Sequence, residues 1–254
     1  MTSPLGGLAR RRADVAEAAA RELISLDHRA DGSFVQTPLL YPSGAYVVVA
    51  IHGGPDRYLV SDFGAGYREA DLMGAGTYFS RHARGVADSA GVGFDQHAFF
   101  VLEIDRDQLA GAVATIANCS HDAVAIAAFR LADKARSDAS AKVFERVSRV
   151  FPAHSIARDA EVVGSSTYKW HVATLVTIDG RRAIFDPVAP HHNSVFAATA
   201  KFHDIANLPE APARIAMVQD TQAFSTYLNI LSQASNVIEL RASNKTIRSL
   251  AMAA

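Results

Sequence analysis

The sequence predicts an α+β fold: a small β-rich N-terminal domain, then a mixed sheet flanked by helices. Three observations point to it. Between residues 34 and 64, β-branched and aromatic runs alternate with turn signals; Tyr46 to Ile51 and Arg57 to Val60 flank Gly53-Gly54-Pro55-Asp56. Two such runs around a Gly-rich turn read as a β-hairpin. An alanine-rich apolar stretch from 107 to about 134 reads as a long central helix. Beyond residue 140 the pattern runs α-β-β-β-α-β-α-β, the order of a mixed sheet with helices packed on it.

The elements follow in order. Residues 7 to 27 read as a helix, because Leu8, Val15, Ala18, Ala19, Leu23 and Ile24 recur near three and four apart. Asp31-Gly32 is a turn, and Phe34 to Tyr41 opens the β-rich block. Glu69 to Met73 is a short helical piece ended by Gly74. Residues 78 to 92 are a helix and 98 to 104 a strand. Asp105 is placed to cap the long helix, since its carboxylate accepts amide hydrogens that have no intrahelical partner. Small, polar Ser137-Asp138-Ala139-Ser140 suggests a boundary between domains 1–136 and 137–254. A helix over 141 to 151 stops at Pro152. Strands at 160–163, 170–178 and 182–188 follow, then a helix over 193 to 206. A strand at 214–219, a helix over 223 to 234, a strand at 237–240 and a helix over 244 to 252 complete the order.

Composition narrows the function classes. The chain has 254 residues, 49% of them apolar and 20% charged, with a net charge of -1. That balance suits a folded core and excludes a globally basic nucleic-acid binder, though not a local basic patch. One cysteine excludes an internal disulfide framework and a Cys-only metal cluster, and suits a reducing compartment; the expected location is cytoplasmic. No unbroken apolar run reaches the roughly 18 residues of a membrane span, so no membrane partner is expected. Met1 to Arg12 carries three arginines without an apolar region behind them, unlike a secretory signal.

Several strings carry a resemblance. Thr37-Pro38-Leu39-Leu40, the strand at Tyr46 to Ile51, Tyr58-Leu59-Val60-Ser61-Asp62-Phe63-Gly64, Asp71-Leu72 and Gly74 lie in the first half; Gly164-Ser165-Ser166 and His171 lie in the second. Together they resemble a bacterial and phage-borne family of paired domains of unknown function, numbered 1828 and 1829, over about residues 20 to 240. Phe63 between Asp62 and Gly64 departs from the family's Asp-Gly turn. The resemblance implies a setting of mobile elements and host–phage conflict and assigns no activity. The second half also resembles a restriction-endonuclease-like core. Active members of that fold carry an acid on the second strand and an acid-x-Lys pair on the third, which hold Mg²⁺ and orient water. Here the second strand is Trp170-His171-Val172-Ala173-Thr174-Leu175, without an inward acid, and no lysine follows Asp186 in Ile184-Phe185-Asp186-Pro187-Val188. Glu161 and Asp186 are the two carboxylates left for a metal.

Cys119, His171 and Asp186 form a second catalytic candidate, an acyl-transfer or protease-like triad. Such chemistry needs a thiolate, a histidine to take its proton and an acid to orient the imidazole. His171-Val172-Ala173-Thr174-Leu175-Val176 with Phe185-Asp186-Pro187 is similar to the second half of the transglutaminase-like motif. The plainer reading makes Cys119 a small buried hydrophobe, His171 a sheet residue and Asp186 a cap before Pro187. For the triad, Asn118-Cys119-Ser120-His121-Asp122 would have to break and restart the long helix. His191, His192 and His203 with Asp204 are candidate zinc ligands without a known ligand spacing; solvated surface histidines are the plainer reading. Asp62-Phe63-Gly64 and Gly64-Ala65-Gly66 lack the companions of a kinase or dinucleotide motif and read as turn. Arg10 to Arg12, Arg81 with Arg84, and Arg241, Lys245 and Arg248 are candidate phosphate contacts and equally solvated helix faces. The leading expectation is a non-catalytic interaction protein with a protein partner, a second copy of the chain among the candidates, and more weakly a nucleic acid. No cofactor is expected unless the nuclease alternative holds, which would take Mg²⁺.

Overall fold

The structure is a computed structural model that describes residues 14–54 and 56–253. The described residues form seven helices and two sheets, an α+β fold. The chain divides into two compact units, Met1–Lys134 and Ala135–Ala254.

In the first unit, α1 is helical at 14–22 and β1 follows at Ser25–Arg29. The helix expected to 27 therefore ends earlier. Residues 25–29 pair with β2 instead, a gain in backbone hydrogen bonds that local helical spacing does not register. The part of that expected helix at 7–13, with Arg10 to Arg12, lies outside the described residues. β2 (Gly32–Leu40), β3 (Tyr46–Gly53), β4 (Tyr58–Ser61), β5 (Gly93–Asp95) and β6 (Ala98–Ile104) complete an antiparallel sheet of order β1-β2-β3-β4-β6-β5. Helices α2 (Ala65–Leu72) and α3 (Gly76–Ala90) join β4 to β5. Phe79, Ala83 and Ala87, four residues apart on α3, are buried with Val47, Val49, Val60 and Phe99.

Asp105 caps as expected: its side chain and that of Gln108 make a reciprocal capping box on a 3₁₀ turn at Arg106–Gln108. Helix α4 then runs Leu109–Ser148 without interruption, about 60 Å at 1.5 Å per residue. The segment 137–140, expected to separate domains, is helical, because it contains no glycine or proline to stop the helix. The break and restart at 118–122 that the Cys119 triad would need is also absent. The span Arg106–Ser148 is long and apolar enough to cross a membrane by length and composition, and 44% of its most apolar window is buried inside the protein. Counting unbroken apolar runs hid this stretch, because isolated charged residues interrupt it. Ala112, Ile116, Ala123, Val124 and Ala127 of α4 belong to the first unit's core.

In the second unit, β7 (Ile156–Val163), β8 (Lys169–Ile178) and β9 (Arg181–Pro187) form an antiparallel meander; β10 (Ala213–Val218) and β11 (Asn236–Glu239) continue the sheet in parallel. The order is β11-β10-β9-β8-β7. Helix α5 (His192–Ala206) connects β9 to β10, and α6 (Tyr227–Ala234) connects β10 to β11. Ile184, Val195, Phe202, Ala216 and Leu231 share one cluster; Val143, Val147, Phe185, Ile215, Met217 and Ile247 share another, which includes the end of α4 and α7 (Asn244–Ala251). Neighbours such as Ile184 and Phe185 thus belong to opposite clusters. A strand covered on both faces reads as a continuous apolar run for this reason.

Candidate functional site

Three buried or closely bonded carboxylates organise the polar chemistry. Asp186 stands where two strands part. The β8–β9 pairing ends at Thr174 opposite Phe185. Beyond it the Ala173 amide donates to Asp186 Oδ1 at 2.7 Å, in place of a partner on the strand. Lys201, one helical element later, donates from Nζ to Asp186 Oδ2 at 2.5 Å and to the His171 carbonyl at 2.7 Å. The carboxylate side chain is 7% exposed and the lysine 19%. The pair closes the fork between β8 and β9 and satisfies backbone groups on β8.

His171 is engaged elsewhere. It sits opposite Glu161 on β7, and its exposed ring lies 3.8 Å from Glu161 Oε1. Lys169 lies 3.7 Å from the other Glu161 oxygen. Among the described residues no hydrogen bond joins the His171 ring to Asp186. Cys119 belongs to the first unit, inside α4, and is buried. Burial and the nearby charges of Asp122 and Asp62 push its thiol up, the direction opposite to that of an activated nucleophile. It lines a groove of about 590 Å³ with His82, Val86, Thr115, Asn118 and Asp122.

The second carboxylate is Asp62. Its Oδ1 accepts from the amides of Gly64 and Phe99, and its Oδ2 from the Gly66 amide and the Ser120 hydroxyl. Ser120 Oγ also lies 2.8 Å from the Tyr41 hydroxyl. Burial raises the Asp62 carboxyl above its ordinary range, and these donors pull against it. Burial likewise pushes Tyr41 up to about 12. Gly66 is required here by close approach, because a Cβ would stand 2.5 Å from Ser120 Oγ. The turn that contains Asp62-Phe63-Gly64 is therefore a folded polar centre.

The third is Asp204 on α5. It accepts from Ser165 Oγ, from both the amide and hydroxyl of Ser166, and from Trp170 Nε1 at 2.6 Å. Those bonds hold its carboxyl well below the usual range. Gly164 lies so close that a Cβ would sit 1.9 Å from Asp204 Oδ2. The string Gly164-Ser165-Ser166 is thus a turn fastened to a helix. On either side of it Val163 and Tyr168 stand exposed, at 51% and 61%, and the Tyr168 and Trp170 rings lie 4.6 Å apart.

The remaining candidates are distributed. His191 Nδ1 accepts from the Ser194 amide as the cap of α5, and His192 packs against Phe196. Among the described residues no group of three or more His, Cys, Asp or Glu is placed to hold a metal ion. Arg241 donates to Glu239, whose carboxyl is lowered to about 2 by Arg241 and Thr221. Arg248 donates to the Val150 carbonyl. Lys245 is exposed on α7. Sequence reasoning missed Lys201, which stands 15 residues after Asp186 rather than two, and it missed Asp204 as the anchor of the turn. No protein-family model matches the chain, and no curated protein and no solved structure matches it.

Proposed function

We propose that the chain is a non-catalytic interaction protein that binds a protein partner through the tip of the β7–β8 hairpin. In this reading the second unit is a degenerate nuclease-like scaffold. The protein acts as an inhibitor or regulator in the mobile-element or phage-defence setting that the resemblance implies. The observation that carries the reading is the fastening of the turn to Asp204 while Val163 and Tyr168 remain exposed. An aromatic anchor held in one shape loses little entropy on docking, which favours it as an energetic centre of an interface. The test uses tagged full-length protein in the native host. Wild type captures a specific protein, the purified pair binds directly, and Tyr168→Ser loses that binding with the far-UV circular dichroism and urea midpoint unchanged. A Tyr168→Ser variant that binds as wild type does, or the lack of any specific partner, overturns the proposal.

One observation favours a second reading, a metal-dependent nuclease: Lys201 brings to Asp186 the lysine that β9 lacks. The residues do not fit the ion as they stand. Both Asp186 oxygens are engaged by Ala173 and Lys201, and Glu161 is paired with Lys169 and His171. Cleavage of duplex DNA in Mg²⁺ by wild type, lost in Asp186→Asn, would establish this alternative; no cleavage by wild type removes it. The acyl-transfer alternative has less support, because the Cys119 thiol is buried and pushed up.

A further inference from the structure

We infer that β1 is an interface with a second copy of this chain, joined edge to edge about a two-fold axis. This goes beyond the hairpin-tip reading and does not depend on it. Among the described residues β1 is the terminal strand of its sheet and pairs with β2; all five of its residues are exposed. At the opposite edge, β5 is three residues long and is covered by Arg84, which donates to the Phe94 carbonyl. A long open edge is a template for another strand, whereas a short covered one is not.

The chemistry of the strand selects its own copy. Arg29 opposite Gly32 closes a two-residue turn, which makes them a hydrogen-bonded pair. Alternation along the strand then directs the backbone N–H and C=O of Leu26 and His28 outward, toward an incoming strand. Asp27 and Arg29 lie side by side, 2.8 Å apart between Oδ2 and Nε. An antiparallel two-fold axis at His28 places each Asp27 opposite the copy's Arg29, a ring of four alternating charges. It also sets Leu26 opposite Ala30. An axis at Asp27 would set like charges against each other, and an axis at Leu26 would leave Asp27 opposite Ser25; opposite charges directly across a pair stabilise it and like charges oppose it. Leu23, Ile24 and Leu26 are each more than half exposed at this edge, apolar surface that an isologous contact would cover.

The test is the oligomeric state of the full chain by sedimentation equilibrium. Wild type is expected to dimerise. Asp27→Arg and Arg29→Asp should each weaken dimerisation about tenfold or more, since each sets two like-charge pairs across the axis. The double exchange, Asp27→Arg with Arg29→Asp, restores the alternation and should restore the dimer. Far-UV circular dichroism checks that the variants remain folded. A wild type that is monomeric throughout overturns the inference. Single variants that dimerise as wild type does, or a double variant that stays monomeric, overturn it as well.

Discussion

Replacing Lys201 by methionine removes the cation from the fork between β8 and β9. The side chain is one heavy atom shorter and uncharged, and it leaves the Asp186 carboxylate, 7% exposed, without its charged partner. The Ala173 amide still donates to Oδ1, and the His171 carbonyl loses its donor. Stranding one member of a buried ion pair costs about 3–5 kcal/mol. Lys201 is 19% exposed, so some water reaches the site, and the lower end, about 3 kcal/mol, is expected. The assay is urea unfolding followed by the emission of Trp170, the chain's single tryptophan, which lies on β8. With a slope of about 2 kcal/mol per molar, the midpoint should fall by about 1.5 M. The double variant Lys201→Met with Asp186→Leu should recover part of the loss, because it removes the stranded charge along with its partner. A single variant within about 1 kcal/mol of wild type, or a double variant no more stable than the single one, would refute the reasoning.

Other perturbations test the remaining polar centres. Gly164→Ala drives a methyl group into Asp204; the turn must move, and the change should appear as a shift in Trp170 emission, whereas an unaltered spectrum contradicts the close approach. Ser120→Ala removes one donor from Asp62 and the partner of Tyr41; a loss of about 1–3 kcal/mol is expected in urea unfolding followed by circular dichroism. In a spectrophotometric titration at alkaline pH, Tyr41 should ionise near 12, after exposed tyrosines. Glu239 and Asp204 have carboxyl values below their ordinary ones, Glu239 about 2 against 4.5, so their contribution is present above the ordinary range and is lost as pH falls, for Glu239 between about 4.5 and 2. Asp62 has the opposite sign: its carboxyl is raised, so its contribution grows as pH falls. Hydrogen exchange at about pH 3 should therefore open peptides of the second unit first, and earlier opening of the first unit would contradict the assignment.

The elements that were legible share a local cause. Asp105 and Gln108 sit at the spacing of a capping box, and β3, β6 and β8 are built of β-branched and aromatic residues. The element order beyond residue 140 needed only the two periodicities and their punctuation. The misreadings share a cause too. Residues 25–29 carry apolar spacing that a helix tolerates, but β2 offers them backbone pairing. Segment 137–140 is polar and small, which suggested a loop, yet nothing in it stops a helix. Among the candidate sites, Asp186 stood out by residue type, whereas Asp62 read as part of a turn and Gly164-Ser165-Ser166 only as a string, and the partners of all three were hidden.

By itself the sequence determined the α+β class, most helix and strand positions and the absence of a disulfide framework, because steric preference, side-chain period and cysteine number act over a few residues or none. Tertiary structure decided which groups those residues serve. Asp62 meets Ser120 58 positions away, Asp186 meets Lys201 15 positions away, and Asp204 meets Ser166 38 positions away. Such meetings depend on how strands part and which helix face is turned inward. A carboxylate taken from water adopts whichever donors that packing brings within reach.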